Sequence, residues 1–214
     1  MIMQLVLASS SRARLGTLRA AGLQPVAIRP EIDETARIDE SVSELACRLA
    51  RQKGESVLQI LRERDLLDRE TVLLACDTML EFEGRIHGKP GTKASVISRW
   101  MRMRGRQGVV HTGHYVAVIR GGRITESTRE AVTVLSFADL TEQEIADYAA
   151  TGEPESVAGG FTIDSFGGPF ITRIEGDPHN VVGLSLPLVR QILLDLGVAW
   201  FDLWPVPPGT QVRG

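Results

Sequence analysis

The sequence of 214 residues predicts a mixed α/β fold, with helices flanking a mixed β-sheet. Apolar runs at residues 2–8 and 71–82 are typical of buried strands. Residues 42–63 carry apolar side chains at helical spacing, with Gly54 as a weak point of the predicted helix. Two β-rich runs are joined by a Gly-Gly pair at 121–122, which indicates a hairpin. Because helices, strands and hairpins do not alternate strictly, we expect a mixed sheet.

The remaining elements are predicted from cap and turn residues. The first is a helix that follows Ser9–Ser11 and stops at Gly22, and a short strand within 25–30 comes next. A hairpin turn at Gly84 and a helix over 92–103 follow. Two more helices are predicted, one between the capping box Thr141/Glu144 and Gly152 and one at the end of 177–197. The segment after Trp204 is rich in Pro and Gly. We therefore predict one domain over 1–204 and a flexible tail over 205–214.

The composition indicates a soluble globular protein, since 43% of the residues are apolar and 24% are charged. A net charge of −3 argues against a nucleic-acid partner, because such binding usually needs a basic excess. The first apolar run is too short for a signal peptide or a membrane span, so no membrane association is expected. Cys47 and Cys76 form no CxxC pair, which argues against a zinc ribbon or a disulfide framework and favours a cytoplasmic location.

Asp77 stands out because the stretch LLACDTML around it is apolar apart from Thr78. Burying a carboxylate is costly unless it is paired, hydrogen-bonded or bound to a cation. Ligands of open α/β sheets bind beyond the carboxyl ends of strands, and we expect Asp77 to close such a strand. It is then a metal ligand, a general base, or a carboxylate satisfied by backbone N–H groups. Lys89, in the turn GKP, is either a phosphate-binding cation or a surface lysine.

Three other segments carry groups that suit a nucleotide. Ser9–Ser11 and Arg14 combine a helix N-terminus with a guanidinium, which binds phosphate, although an ordinary N-cap gives the same pattern. Asp33 and Glu34 are hard oxygen ligands for Mg²⁺ or Mn²⁺, or else a solvated acidic turn. Asp164 lies between two glycine pairs, where it can accept N–H donors of a base edge or belong to a plain glycine-rich loop.

Taken together and in order, the short motifs of this chain resemble those of the Maf family of nucleotide pyrophosphatases. The motifs are LASSSRAR, DET, LARQK, CDTM, GKP, HTG and NVVGLSLPL, and the resemblance covers about residues 5 to 198. It implies hydrolysis of a nucleoside triphosphate to the monophosphate and pyrophosphate. It also implies an elongated mixed α/β fold with two lobes around a cleft, similar to that of inosine triphosphate pyrophosphatases. Members of the family are usually cytoplasmic, depend on a divalent metal and are often homodimers, and we expect the same of this chain.

The resemblance also assigns roles to individual positions. Glu34 and Asp77 would hold Mg²⁺ or Mn²⁺, and Asp77 would also orient the attacking water. The implied catalytic residues are Asp77, Lys53 and Lys89. The implied substrate-binding residues are Ser9, Ser11, Arg14, Thr78 and Asp164.

The sequence departs from the family pattern at positions that bear on substrate choice. Family members usually have S-x-S-P-R-R, whereas this chain has Arg12 in place of the proline and Ala13 in place of the first arginine of the pair. Members that hydrolyse dTTP and UTP carry a glutamine where Asp164 stands. Thr78 matches the residue found in that group, whereas the acid at 164 matches the members that prefer 7-methyl-GTP. The base preference therefore stays open. The missing arginine leaves a second hypothesis, a nucleotide-sensing regulator of septum formation with little turnover.

Overall fold

A seven-stranded mixed sheet organises the chain, and the computed structural model describes it over residues 3–67 and 69–205. Its strands are β1 Gln4–Ala8, β2 Val26–Ile28, β3 Thr71–Phe82, β4 Arg85–His87, β5 Gln107–Arg120, β6 Arg123–Phe137 and β7 Ile171–Glu175. The helices are α1 Arg12–Ala20, α2 Val42–Glu63, α3 Lys93–Met103, α4 Glu142–Ala150, α5 Pro178–Val182 and α6 Leu186–Asp195. Short 3₁₀ turns cover Glu153–Ser156, Ala158–Gly160, Gly168–Phe170 and Trp200–Leu203.

The strand order is β2-β1-β3-β5-β6-β7, with β4 paired to β3. The β1 strand is parallel to both β2 and β3, whereas β4, β5, β6 and β7 pair antiparallel to their neighbours. The predicted mixed α/β class is therefore confirmed. No helix within the described residues combines the length and the apolar character needed to cross a membrane.

One edge of β3 is interrupted, and this interruption positions the site. Strand β5 pairs with β3 along residues 71–81. On the opposite edge, β1 pairs with residues 71–74 and β4 with residues 80–82. Residues 75–79 thus have no strand partner on that edge in the described part of the chain, and we call this stretch the β3 gap. Ligands approach a sheet where neighbouring strands diverge, so the gap is a natural place for a cleft.

The core divides into two lobes on either side of the β3 gap. In the first lobe, one apolar cluster joins α1 and α6 to one face of the sheet, and a second joins α2 to the other face. In the second lobe, α3 and α4 pack on the far halves of β3, β5 and β6, around Trp100 and Phe137. Burial of these clusters supplies the main favourable free energy of folding, and it holds the two walls of the cleft in place.

Most local signals agree with the structure, and two expectations are wrong. Ser11 caps α1, and Thr141 and Glu144 form the expected capping box of α4. Gly54 is not a weak point, because it lies buried within an unbroken α2 against the ring of Tyr115. Asp77 does not close its strand, since β3 continues to Phe82. Apart from residue 205, the predicted tail lies outside the described residues.

Candidate active site

A cleft of about 1530 Å³ opens at the β3 gap. It is lined from the first lobe by the serines that follow β1, the start of α1, the loop before α2 and Lys53 of α2. From the second lobe it is lined by the Gly88-Lys89 turn and by residues 156–165. Asp77, Thr78 and Met79 of the gap form its floor. The gap therefore exposes polar groups of a central strand that a continuous sheet would cover.

Lys53 reaches the gap from one face of the sheet and joins two carboxylates. Its Nζ contacts Oδ1 of Asp77 and lies 2.7 Å from Oε1 of Glu34. The Lys53 and Asp77 side chains are only 11% and 8% exposed, whereas Glu34 is 60% exposed. Oδ2 of Asp77 is buried and has no hydrogen-bond partner among the residues that the structure describes. A buried carboxylate with one free oxygen is costly, which is typical of a functional site.

The ionisation of the two carboxyl groups differs with their surroundings. Burial raises the pKa of Asp77, and the nearby charges of Lys53 and Arg14 offset only part of that effect. The hydrogen bond from Lys53 lowers the pKa of Glu34, and the charges of Lys53, Lys89 and Arg14 lower it further. Glu34 is thus ionised at neutral pH. Asp77 is the better proton acceptor of the two, because its carboxylate is the less stabilised.

Arg14 reaches the gap from the opposite face of the sheet. Its Nε donates to the Gly183 carbonyl at 2.7 Å, its Nη2 to Thr78 Oγ1 at 2.9 Å and its Nη1 to Ser9 Oγ at 3.5 Å. No ion pair of Arg14 with a carboxylate occurs within the part of the chain that the structure describes. The guanidinium is held by neutral acceptors, so its charge remains available to an anion.

The start of α1 completes this cationic wall. Ser11 caps the helix by accepting from the backbone N–H of Arg14, and its own N–H donates to Ser9 Oγ at 3.1 Å. The first turn contains no acidic residue. Its free N–H groups and the adjacent guanidinium therefore favour a phosphate. Arg12 and Ala13 also line the cleft, and both are exposed.

Lys89 lies on the second lobe in a turn that three backbone contacts fix. Arg99 Nη1 donates to the Gly88 carbonyl at 2.6 Å, and the Gly159 N–H donates to the same carbonyl at 3.3 Å. The Gly91 N–H donates to the Glu155 carbonyl at 2.9 Å. The Lys89 side chain is exposed, and its charge reaches Glu34 across the cleft.

The carboxylates of Glu34 and Asp77 suit a divalent cation. Because both contact one ammonium, the two oxygens are no farther apart than about two hydrogen-bond lengths, roughly 6 Å. The described residues contain no group of three or more His, Cys, Asp or Glu side chains that could hold a metal by themselves. Magnesium is commonly held by one or two carboxylates together with substrate phosphates, so two carboxylates in a cleft lined by cationic side chains are a fitting set.

Comparison with known proteins gives the family. The sequence model described as Maf-like protein matches residues 4–196. The chain belongs to the Maf-like protein family. Two relatives of this chain are each named nucleoside triphosphate pyrophosphatase. The one from Cutibacterium acnes is 50% identical, over 97% of this chain and 97% of the relative. The one from Salinispora tropica is 48% identical, over 94% of this chain and 88% of the relative. The Staphylococcus aureus Ham1 structure matches with a TM-score of 0.45 and 12% identity, over 90% of this chain and 99% of that one.

Within this Maf-like cleft, the structure brings together the residues that the sequence nominated. All of them line it, namely Ser9, Ser11, Arg14, Glu34, Lys53, Asp77, Thr78, Lys89 and Asp164. Their roles stay predictions. Sequence reasoning missed Arg29 and Glu153, which also line the cleft. Arg29 lies in a loop without a motif, and Glu153 follows the predicted helix stop at Gly152, so neither carried a signal.

Proposed function

We propose that this Maf-like chain hydrolyses nucleoside triphosphates between the α- and β-phosphates, giving a nucleoside monophosphate and pyrophosphate. One observation carries the proposal: the buried carboxylate of Asp77, with one oxygen free, faces cations that converge from both faces of the sheet. The names of the relatives support a triphosphate substrate. A polyphosphate needs cationic donors more than it needs covalent chemistry, and this cleft supplies them.

The cations of the cleft would bind the triphosphate in three places. Arg14 and the N–H groups of α1 would bind phosphates on one side. Lys89 would bind them from the second lobe, and Lys53 from the floor. These groups would neutralise charge that develops on the leaving pyrophosphate, which is usually the largest contribution to catalysis of this kind.

Asp77 would act on the attacking water. Its carboxylate, whose Oδ2 has no hydrogen-bond partner among the described residues, would accept a hydrogen bond from a water aimed at the α-phosphorus. As the new phosphorus–oxygen bond forms and the bond between the α-phosphorus and the bridging oxygen breaks, the water proton would pass to the Asp77 carboxylate, and pyrophosphate would leave. Glu34 and Asp77 would hold Mg²⁺ or Mn²⁺. That ion, when bound, supplies positive charge to the phosphate oxygens.

The remaining finer features are proposed on the family resemblance and the charge of the chain. Asp164 would accept N–H donors of the base, which favours guanine or a cationic methylated purine over bases without such donors. The chain would work in the cytoplasm as a homodimer and would not bind nucleic acid. Light scattering and a gel-shift assay at physiological salt test the last two statements directly.

The test is a panel of ribo- and deoxyribonucleoside triphosphates with Mg²⁺, with Mn²⁺ and with a chelator, followed by product separation. The proposal expects pyrophosphate and monophosphate in the presence of metal. Release of inorganic phosphate and a nucleoside diphosphate would refute the bond assignment. Nucleotide binding without turnover would favour the sensor hypothesis instead.

Asp77→Asn gives the matching variant for this assay. We expect it to release pyrophosphate at least about two orders of magnitude more slowly, the scale of a lost general base. Glu55→Gln, an exposed carboxylate elsewhere on α2, is its control and should keep the wild-type rate.

A further inference from the structure

The cleft wall at residues 161–165 is attached to the second lobe by the buried side chain of Phe161 and, on both sides of Asp164, by the carboxylate of Glu153. We propose that Glu153 is a positioning residue for nucleobase selection, because its carboxylate fixes the loop that presents Asp164 to the cleft. This inference rests on the function proposed above. Glu153 itself needs no contact with the nucleotide to act in this way.

Charge decides which wall of the cleft meets the base. The cationic side chains lining the cleft come from α1, the loop after β2, α2 and the Lys89 turn. The wall at 161–165 consists of Phe161, Thr162, Ile163, Asp164 and Ser165, with no cation and one carboxylate. A triphosphate is drawn to the cations and repelled by the carboxylate. The wall at 161–165, with its apolar and polar groups, then suits the base, because a base is planar and partly apolar and has hydrogen-bonding groups along its edge.

The two oxygens of Glu153 hold the loop on both sides of Asp164. Oε1 accepts from Thr162 Oγ1 at 2.6 Å, and Oε2 accepts from the backbone N–H of Phe166 at 3.3 Å. Thr162 Oγ1 in turn accepts from the N–H of Gly167 at 3.1 Å. Asp164 lies midway between these two attachments. One carboxylate therefore fixes both ends of the short segment that carries the proposed base-reading group.

Glu153 also ties this loop to the rigid core of the second lobe. Tyr148 donates from its hydroxyl to Oε1 of Glu153 at 3.1 Å, and the same hydroxyl accepts from the N–H of Thr162 at 3.3 Å. The Tyr148 ring packs edge-on against Trp100 and Phe170, with centroids 5.7 and 5.2 Å apart. The loop itself is open to solvent, and Phe166 is 62% exposed. Without Glu153 the loop would keep the bond from the Thr162 N–H to Tyr148, but it would lose the bond of the Thr162 hydroxyl and its attachment at Phe166, on the other side of Asp164.

The ionised state of Glu153 matches this role. Partial burial raises its pKa, but hydrogen bonds from Ser165, Thr162, Phe166 and Tyr148 outweigh burial and lower the pKa overall. The carboxylate is therefore charged at neutral pH and accepts on both oxygens. In Glu153→Gln one oxygen becomes an NH₂ group, which cannot accept from the Phe166 N–H or a hydroxyl proton.

The experiment compares wild type with Glu153→Gln and the control Glu155→Gln. Glu155 lies on the same 3₁₀ turn, and its side chain makes no hydrogen bond to the described residues. For each, kcat and KM are measured on the nucleotide panel. Inhibition by inorganic tripolyphosphate, which has no base, reports on the phosphate wall alone. In Glu153→Gln we expect the ratio of kcat/KM between best and worst nucleotide to fall by about 10-fold, since a loosened contact weakens discrimination.

The outcomes separate a positioning role from a structural one. The inference expects a higher KM for the preferred nucleotide. Its kcat and the inhibition by tripolyphosphate should stay close to the wild-type values. An unchanged ratio, or a parallel loss of kcat and of tripolyphosphate binding, overturns it. Thr162→Val, which removes the hydroxyl between Glu153 and the loop, should reproduce the effect and serves if Glu153→Gln does not fold. If wild type releases no pyrophosphate, the proposed function fails, and dissociation constants for the same nucleotides test Glu153 instead.

Discussion

Replacing Gly54 with alanine should destabilise the protein, although alanine is the better helix former. Gly54 lies in α2 directly beside Lys53, and its Cα faces the fully buried ring of Tyr115. A Cβ at this position would overlap the ring atoms Cδ1 and Cε1 and lie 3.1 Å from Cγ. The ring cannot move freely, because the Tyr115 hydroxyl donates to Oε2 of Glu126 at 2.6 Å.

The size of the effect follows from three contributions. The alanine gains about 1 kcal/mol of helix propensity. Overpacking of a close-packed core costs about 1–3 kcal/mol. Moving the ring also weakens its hydrogen bond to a carboxylate, which contributes about 1.5–3 kcal/mol. We therefore expect a net loss of about 1.5–5 kcal/mol, or a fall in Tm of about 3–20 °C for a chain of this size.

Thermal unfolding of Gly54→Ala and Gly16→Ala measures this directly. Gly16 lies in α1, and a Cβ there meets no atom of the described residues within 4 Å. Gly16→Ala should raise Tm by about 1–4 °C, because it gains helix propensity without a clash. The reasoning is that the close contact of Gly54 with Tyr115 lets α2 pack against the sheet, and that this packing places Lys53 beside Asp77. If Gly54→Ala is as stable and as active as wild type, this reasoning is wrong.

Two further predictions concern substrate choice and pH. Asp164→Gln should change the rank order of nucleotide substrates in the kinetic panel by about 10-fold in relative kcat/KM, and an unaltered order would remove its proposed role. Burial lowers the pKa of His114 to about 4. Between pH 6.5 and 4 the imidazole is therefore protonated in the unfolded chain but not in the folded one. Stability should fall by about 1–3 kcal/mol as pH drops through that window. Urea unfolding at pH 7.5 and 5 should show a smaller change in His114→Gln, and an equal change in both proteins would contradict this.

The sequence predicted the groups of the site better than the reason for their meeting. Cap residues act within one helical turn, so Ser11 and Thr141 were readable from their neighbours. The β3 gap depends on where β1 and β4 leave β3, which is a property of strand pairing between distant segments. That is why Asp77 was expected at a strand end, whereas it lies in the middle of a strand whose neighbour has ended.

Side-chain geometry set the other limit. A glycine in a helix indicates weakness when its surroundings are unknown, and only the packed Tyr115 ring shows that Gly54 is required. Lys53 could be named from a motif, but its contact with both Glu34 and Asp77 depends on how α2 lies across the sheet. Glu153 escaped notice because its partners lie in a loop with no regular periodicity.

Manganese binding provides the most direct test of the central claim, that Glu34 and Asp77 jointly hold the metal facing the cationic wall. The free Mn²⁺ concentration is titrated by electron paramagnetic resonance in wild type, Glu34→Gln, Asp77→Asn and the control Glu55→Gln, each with a non-hydrolysable triphosphate analogue. We expect wild type and Glu55→Gln to bind Mn²⁺ alike, and the other two variants to lose Mn²⁺ binding. In a separate assay with a hydrolysable nucleoside triphosphate, the same two variants should lose pyrophosphate release. Full Mn²⁺ affinity in Glu34→Gln or Asp77→Asn, or pyrophosphate release that survives chelation, would contradict the account.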